Sequence, residues 1–302
     1  MADIVISEFM DDAAVDSLRA EFDVHYDPTL ADRQEEIPAL LTGARALIVR
    51  NRTQVRGALL EAGTALNCIG RLGVGLDNID VDACSARDIA VFPATGANDA
   101  SVAEYVIGTA MVLLRGAYYG SDQVAAGSWP RQAMIGREIG GLTLGLIGYG
   151  AIAKETASRA RALGMHIIAY DPFVETATDA EILPLEDVLS RADVVSLHVP
   201  LTDGTRNLLN TANLTLMKPD AVLINAARGG VLDEAAVADA LRHGRLGGAA
   251  LDVFDKEPLG AQNPFSDVPK LILTAHIAGV TEQSNVRVSA LTAETVAKHL
   301  RG

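Results

Sequence analysis

Short apolar runs alternate with longer segments of helical periodicity along most of the chain. Five candidate strands lie in the first third, at residues 4–6, 22–26, 46–49, 66–71 and 89–92. Six further runs follow, at residues 142–147, 166–170, 194–199, 221–224, 247–251 and 271–273. Apolar strands that alternate with helices are typical of parallel sheets covered on both faces. The pattern predicts an α/β fold whose later sheet has six strands.

Apolar residues at helical spacing predict one long helix from about residue 101 to 126. Val102, Val106, Ile107, Ala110 and Leu113 recur on one face of this segment. A second helix is predicted at 233–243, where acidic residues stand at the start and favour a helix N-terminus.

Length and composition indicate a globular protein with two domains. The chain has 302 residues, of which 49% are hydrophobic and 21% charged. Its 25 basic and 39 acidic residues give a net charge of −14. Nucleic acids and anionic membranes attract positive surfaces, so the charge argues against both as partners. The acidity fits either a saline cytoplasm or plain solubility.

The two cysteines, Cys68 and Cys84, are too few for a disulfide framework and are expected to be buried thiols. The N-terminal stretch lacks the basic segment of a signal peptide, and no uncharged apolar run is long enough to span a bilayer. We therefore expect a soluble, cytoplasmic protein. No cluster of metal-ligating residues is evident.

The segment LTLGLIGYGAIAKETASRARALG carries the clearest local motif, G-x-G-x-x-A at Gly148, Gly150 and Ala153. Gly148 permits a tight turn, Gly150 lets the backbone approach a pyrophosphate, and Ala153 lets the helix pack closely on the strand. Asp171 ends the next strand, where an acid binds a ribose 2′-hydroxyl and repels a 2′-phosphate. Strand, turn, helix and acid in this order predict NAD as cofactor rather than NADP.

Three polar residues follow the last strands of the predicted sheet: Arg228, Glu257 and His276. The carboxyl ends of parallel strands form the ligand crevice of such sheets. His25, His166, His243 and His299 lie in strand-like runs or near helix ends, where solvated or structural roles suit them. His276 differs because it stands just past a strand and before small residues.

Several segments resemble the successive signatures of the D-isomer-specific 2-hydroxyacid dehydrogenases, in the phosphoglycerate and sulfolactate dehydrogenase-like branch. They are GVGLDNIDV, ANDASVAE, GYGAIA, SLHVPLTDGTRNLLN, INAARGGVLDE, ALDVFDKEPL and TAHIAG, in the family's order over nearly the whole chain. The resemblance implies a Rossmann domain at 99–280, inserted into a smaller flavodoxin-like substrate domain at 1–98 plus 281–302. It also implies a homodimer, with the segment from Ser101 as interdomain and dimerisation helix.

The resemblance and the local chemistry imply the same catalytic roles. Arg228 would bind the carboxylate and carbonyl of a 2-oxo acid. His276 would be the general acid in reduction and the base in oxidation, and Glu257 would orient it and favour its protonated form. The loop Val74-Gly75 would offer backbone N–H groups to the carboxylate. The small neighbours of Arg228 are expected to leave room for substrate and nicotinamide: Ala226, Ala227, Gly229 and Gly230.

The resemblance also implies a cofactor-binding surface drawn from several loops. Its predicted members are Tyr149, Gly150, Ala151, Ile152, Asp171, His198, Pro200, Thr205, Ala226, Arg228, Asp252, His276 and Gly279.

The segment VRNRTQV predicts how the substrate tail is recognised. Arg50 and Arg52 follow the apolar run at 46–48, and phosphoglycerate dehydrogenases resemble the chain at Arg50. Two arginines there would attract a dianion. A three-carbon acid with a second anion, 3-sulfolactate or 3-phosphoglycerate, is therefore predicted, although solvated surface charges are the alternative.

Other functions stay open at this point. They are a glycerate/hydroxypyruvate or D-lactate dehydrogenase, and a non-catalytic corepressor-like module that senses NADH. Formate dehydrogenase fits less well, because members of that branch usually carry glutamine where Glu257 stands.

Overall fold

A computed structural model describes residues 2–302. The chain divides into two compact units, each with its own sheet and core. Unit 1 comprises residues 1–98 and 280–302, and unit 2 comprises residues 99–279.

Unit 1 contains a five-stranded parallel sheet. Its strands are β1 (Ile4–Ile6), β2 (Val24–Tyr26), β3 (Ala46–Val49), β4 (Cys68–Arg71) and β5 (Ala90–Pro93). They are ordered β2-β1-β3-β4-β5, which is the flavodoxin-like order. β1, β3 and β4 are buried along their whole length, as expected for strands covered on both faces.

Five helices surround this sheet: α1 (Asp12–Arg19), α2 (Ile37–Leu40), α3 (Gly57–Ala62), α4 (Val81–Ser85) and α11 (Glu282–Arg301). Single 3-10 turns occupy Leu30–Asp32 and Gln34–Glu36. α11 packs directly on β4 at Gly70, where an added Cβ would lie 2.8 Å from side-chain atoms of Thr292 and Val296. Helix α11 thereby belongs to the same hydrophobic core as strands β1 and β3 of unit 1.

Unit 2 contains a seven-stranded parallel sheet. Its strands are β6 (Thr143–Ile147), β7 (His166–Tyr170), β8 (Glu181–Ile182), β9 (Val194–Leu197), β10 (Val222–Asn225), β11 (Gly248–Leu251) and β12 (Leu271–Leu273). The order β12-β11-β10-β9-β6-β7-β8 reverses direction between β6 and β9, as in a Rossmann fold. The expected count of six strands was wrong by one. β8 has only two residues, one of them charged, so it carries no apolar run.

The helices of unit 2 are α5 (Asp99–Arg115), α6 (Ser121–Ala125), α7 (Ala151–Ala162), α8 (Leu185–Arg191), α9 (Thr211–Leu214) and α10 (Glu234–Arg242). The single long helix expected at 101–126 is interrupted. Gly116 takes a left-handed φ of 62°, and a 3-10 turn at Ala117–Gly120 follows before α6. Apolar periodicity continues through this glycine, but the helical backbone does not.

Within residues 2–302, no single helix is long and apolar enough to cross a membrane. α5 and the segment 117–125 pass that test only as a pair bent by 58°. α5 packs on α7, β10 and β11, and buries residues such as Val106 and Ala110 in the core of unit 2.

Candidate active site

The carboxyl ends of β10, β11 and β12 carry the three predicted catalytic residues. Arg228 follows β10, Glu257 follows β11 and His276 follows β12. These strands are adjacent and parallel, so the loops after them leave the sheet on the same edge. All three residues belong to unit 2.

His276 and Glu257 form a direct pair. Nδ1 of His276 lies 2.7 Å from Oε2 of Glu257, and both side chains are about one-third exposed, at 39% and 34%. The other carboxylate oxygen of Glu257 accepts a hydrogen bond from the backbone N–H of Phe254 at 3.0 Å. The pair orients the imidazole by its Nδ1, which leaves Nε2 as the nitrogen for proton exchange.

Opposing effects act on the Glu257 carboxyl. Burial alone raises its pKa, but the hydrogen bond and charge of His276, the Phe254 N–H and the charge of Arg228 together bring the pKa below its usual value. Glu257 is therefore a carboxylate at neutral pH. An ionised carboxylate can only accept a hydrogen bond, so Nδ1 of His276 is the donor in this pair.

The loop that carries Arg228 is shaped by Asn225, which sequence reasoning did not single out. The Asn225 side chain is fully buried. Its Nδ2 donates to the carbonyl oxygen of Arg228 at 2.9 Å, and its Oδ1 accepts from the N–H of Ala227 at 3.1 Å. In the sequence, the only sign of this role is that an amide residue directly follows the apolar run at 221–224.

The expected role of Gly229 needs correction. A Cβ added at Gly229 would lie 1.9 Å from the carbonyl oxygen of Phe254. A Cβ at Gly230 would meet side-chain atoms of Leu201, Asp255 and Arg206 at 3.2–3.4 Å. Gly229 therefore does not leave room for substrate on its Cβ side: it lets the Arg228 loop approach the backbone that leads to Glu257.

The glycine-rich turn after β6 has the form of a phosphate cradle. Gly148 has φ 91°, and a Cβ there would lie 2.6 Å from the carbonyl oxygen of His198. Beside Gly150 the space within 4 Å of an added Cβ is open, and no side chain caps the helix that starts at Ala151. Ala151 and Ile152 form the first turn of α7, and Ala153 is fully buried. Open space before an uncapped helix N-terminus fits a dinucleotide pyrophosphate.

Asp171 is held in place by two backbone donors. Its Oδ2 accepts from the N–H of Tyr149 at 2.8 Å, and its Oδ1 accepts from the N–H of Phe173 at 2.9 Å. Each oxygen keeps a lone pair for a ribose hydroxyl. The carboxylate is thus fixed where the predicted adenosine ribose would lie.

The other predicted cofactor residues differ in what their side chains can reach. Tyr149 is only 1% exposed, so its backbone rather than its phenol faces the turn. His198 binds Ser196 Oγ through Nε2 at 3.0 Å, and burial lowers the pKa of His198 to about 4, so it is neutral. Thr205 Oγ1 donates to the carbonyl oxygen of Pro200 at 2.6 Å, which folds this loop onto itself.

Three predicted cofactor residues remain: Ala226, Asp252 and Gly279. Ala226 lies two residues before Arg228 in the loop after β10. Gly279 ends unit 2 a short way beyond His276. Asp252 follows β11 and is 1% exposed, and its two carboxylate oxygens bind the His276 loop. That use of the carboxylate was not expected from the sequence.

In unit 1, Arg71 braces the loop that contains Val74 and Gly75. The Arg71 side chain is buried, and it donates to the carbonyl oxygens of Gly75 at 2.8 Å and Leu72 at 2.7 Å. A Cβ added at Gly73 would lie 2.0 Å from Nη1 of Arg71, so only glycine leaves the guanidinium this path. Arg71 was not singled out from the sequence.

Arg50 and Arg52 follow β3, also in unit 1, and differ sharply. The buried carboxylate of Glu8 accepts the backbone N–H groups of Arg50, Arg52 and Thr53 at 2.9–3.1 Å. Arg50 donates from Nη2 to the neutral Oδ1 of Asn285 at 2.7 Å. Burial lowers the pKa of Arg50, and the charge of Glu8 opposes that shift. The exposed Arg52 instead forms an ion pair with Asp32, which raises the pKa of Arg52.

Among residues 2–302, no group of three or more His, Cys, Asp and Glu side chains is placed to hold a metal ion. Cys68 and Cys84 are buried and are not joined to each other.

Comparison with known proteins places the chain in a family. Residues 107–278 match the model described as D-isomer specific 2-hydroxyacid dehydrogenase, NAD binding domain. The (S)-sulfolactate dehydrogenase of Chromohalobacter salexigens is 52% identical, over 99% of each chain. A D-3-phosphoglycerate dehydrogenase of Synechocystis is 36% identical over 100% of this chain, which spans 55% of that relative.

Solved structures agree with this assignment. The D-lactate dehydrogenase of Aquifex aeolicus, complexed with NAD and lactic acid, is 26% identical and superposes with a TM-score of 0.85. The match covers 99% of this chain and 96% of that one. The chain belongs to the D-isomer specific 2-hydroxyacid dehydrogenase family and is an NAD-dependent oxidoreductase that acts on the CH–OH group of a small hydroxy acid.

Proposed function

We propose that the protein interconverts 3-sulfolactate and 3-sulfopyruvate. The observation that carries this proposal is the 52% identity, over almost the full length of both chains, to a protein named (S)-sulfolactate dehydrogenase. The phosphoglycerate dehydrogenases share less identity, and this chain spans about half of their length. Arg50 supports an anionic tail, because it is a partly buried guanidinium whose hydrogen-bond partner is a neutral amide.

The stereochemical descriptor of that relative is consistent with a D-isomer family. At C2 of sulfolactate the CH₂SO₃⁻ group outranks the carboxylate, since sulfur outranks oxygen. In 3-phosphoglycerate the carboxylate outranks the CH₂–O group instead. The same arrangement in space is therefore called S in sulfolactate and R in D-3-phosphoglycerate, so the two descriptors do not imply active sites of opposite hand.

The residues of unit 2 suit the chemistry of this reaction. A nicotinamide cofactor held by the glycine-rich turn and Asp171 would supply the hydride for reduction of the 2-oxo acid and would accept it in oxidation. Arg228 binds the C1 carboxylate and the carbonyl oxygen through its planar donors. Protonated His276 delivers a proton from Nε2 to that oxygen, while Glu257 holds Nδ1 at 2.7 Å and stabilises the imidazolium before the transfer.

Unit 1 is the proposed substrate domain. The N–H groups of the Val74-Gly75 loop would bind the C1 carboxylate, and Arg71 keeps that loop in shape. Arg50 would bind the sulfonate. We assign this role to Arg50 alone, because Asp32 already neutralises Arg52 at the surface.

A substrate panel tests the proposal. Initial rates with NADH would be measured for sulfopyruvate, phosphohydroxypyruvate, hydroxypyruvate, pyruvate and glyoxylate, and we expect the highest kcat/KM for sulfopyruvate. A higher value for phosphohydroxypyruvate would make the protein a phosphoglycerate dehydrogenase. Absence of turnover with all five, together with tight NADH binding, would favour a sensing module.

NADH is expected to be strongly preferred over NADPH. Asp171 cannot move away from a 2′-phosphate, because two backbone N–H groups hold it. Asp171→Ala should lower the ratio of kcat/KM with NADH to kcat/KM with NADPH, mainly by weakening the binding of NADH. Glu175→Ala, an exposed acid in the same loop, is the matched control and should leave the ratio unchanged. Comparable kcat/KM for both cofactors in the unaltered protein would contradict this assignment.

Glu257→Gln is expected to move the pH profile to lower pH. Reduction needs protonated His276, so its kcat/KM falls as pH rises, and oxidation shows the opposite trend. The depressed pKa of Glu257 keeps its charge throughout the assay range, and glutamine removes that charge. The midpoint of both profiles should therefore shift down, as measured from pH 5 to 10. An unshifted midpoint would show that Glu257 does not act on the imidazole.

We also propose a cytoplasmic homodimer without a membrane or nucleic-acid partner. Residues 111–135 expose an unusual number of large apolar side chains, namely Met111, Tyr118, Tyr119, Val124, Trp129 and Ile135. Trp129, the one tryptophan of the chain, is 76% exposed. A second copy of the chain covering this segment would remove that surface from water. Light scattering at micromolar concentration measures the oligomeric state, and a monomer there contradicts the proposal.

A further inference from the structure

The carboxylate of Asp252 binds the chain on both sides of His276. Its Oδ1 accepts from Thr274 Oγ1 at 2.6 Å and from the N–H of Ile277 at 2.8 Å. Its Oδ2 accepts from the N–H of Ala278 at 2.8 Å. The backbone oxygen of Asp252 also accepts the N–H of His276 at 2.8 Å. A single buried residue at the end of β11 thus determines the path of the loop after β12.

Tyr105, on α5, extends this network. Its hydroxyl lies 2.7 Å from Oγ1 of Thr274. Thr274 has one hydroxyl proton and donates it to Asp252, so Tyr105 must be the donor to Thr274. Burial raises the pKa of Tyr105 to about 12, with the charge of Asp252 also raising it and the Thr274 hydrogen bond lowering it. The phenol therefore keeps its proton at any pH at which the enzyme would be assayed.

His276 needs such support because its backbone is strained. Its φ is 56°, a left-handed conformation that residues other than glycine rarely adopt. Conformations of this kind persist only where the surroundings impose them, and they are common at active sites. The strained backbone, together with the pairing to Glu257, decides where Nε2 points.

We infer that Tyr105 and Thr274 are positioning residues for the proton-transfer group. Through Asp252 they hold His276 in its strained conformation, at the distance from Glu257 that stabilises the imidazolium. Neither residue touches the reacting atoms. The inference rests on the proposed role of His276, and His276→Ala in the same assay tests that role separately.

Tyr105→Phe removes only the phenolic oxygen and is the first test. We expect kcat for reduction to fall roughly three- to tenfold, the effect of one neutral hydrogen bond. Thr274→Val removes the donor to a charged acceptor and should lower kcat by roughly ten- to a hundredfold. Both variants should keep the KM for NADH and shift the pH midpoint in the same direction as Glu257→Gln. Thr274→Ser keeps the hydroxyl, so its kcat and the midpoint of its pH profile should match those of the unaltered protein.

The double variant tests whether the two residues act in series. Tyr105→Phe should add little in the Thr274→Val background, because the phenol acts through the threonine. Tyr26→Phe is the matched control: it also removes a phenol hydrogen bond, to the Met10 carbonyl oxygen at 3.1 Å, but in unit 1. It should leave kcat and pH midpoint unchanged.

Two results would overturn the inference. The first is an unchanged kcat and pH midpoint in Tyr105→Phe while His276→Ala is inactive, which would leave the role of His276 intact. The second is full activity of His276→Ala, which would remove the proposed proton-transfer group as well. If Thr274→Val does not fold, Tyr105→Phe, read against its control Tyr26→Phe and against His276→Ala, still decides between these results.

Discussion

His276→Ala is expected to lower kcat by roughly two to four orders of magnitude, the range for removal of a general acid or base. The imidazole is the proposed proton donor to the carbonyl oxygen, and its partner Glu257 has no proton to give because its pKa is depressed. The loss should appear in both directions of the reaction, measured with NADH and with NAD⁺. The Kd for NADH, from quenching of Trp129 fluorescence or calorimetry, should change far less.

His243→Ala provides the matched control for that variant. His243 also pairs with a carboxylate, since its Nδ1 lies 3.0 Å from Oδ1 of Asp239, but it does so on the exposed surface near the end of α10. Loss of an exposed ion pair changes the free energy of unfolding little, so turnover should stay within about twofold of the unaltered protein. Near-normal turnover of His276→Ala would remove His276 from the mechanism.

Arg50→Ala is expected to raise the KM for sulfopyruvate by roughly one to two orders of magnitude. One charge-assisted hydrogen bond contributes about 1.5–3 kcal/mol, and about 1.4 kcal/mol corresponds to a factor of ten. Hydroxypyruvate has no charge at C3, so its KM should change far less. The preference for sulfopyruvate over hydroxypyruvate, measured as the ratio of the two kcat/KM values, should therefore become smaller or reverse in the variant.

Arg52→Ala separates a binding role from a general loss of positive charge. The two variants lose the same charge from the same loop, but only Arg52 is exposed and paired with Asp32. Arg52→Ala should leave the ranking of substrates unchanged. If Arg50→Ala also leaves it unchanged, Arg50 does not bind the tail, and the substrate is selected elsewhere.

Much of the fold follows from local patterns in the sequence. β3 is apolar throughout and β10 is apolar up to Asn225, because helices cover both faces of a parallel sheet and every position of these strands is buried. Element ends were less accurate. The expected strand at residues 66–71 begins at Cys68, and the expected helix at 101–126 breaks at Gly116. Leu66 packs in the core although it lies outside the strand, whereas the apolar side chains of Tyr118 and Val124 beyond Gly116 are exposed, so an apolar run alone does not fix where an element ends.

The proposed catalytic residues could be picked out because the polar groups of Arg228 and His276 stand shortly after apolar strands. The supporting residues were not recognisable in the same way. Asn225, Arg71 and Thr274 act through contacts with backbone groups, and their residue types are common in loops. A resemblance to family signatures identifies such segments without stating what each side chain touches.

The sequence by itself determined the α/β class, the glycine-rich turn with its acid at Asp171, and the residues available for proton transfer. These depend on backbone preferences and residue chemistry within short segments. Only the tertiary structure decided that Gly229 admits the Phe254 carbonyl, that Asp32 neutralises Arg52, and that Tyr105 reaches Thr274. Each of those facts joins residues far apart in the chain, and a single sequence does not say which distant residues meet.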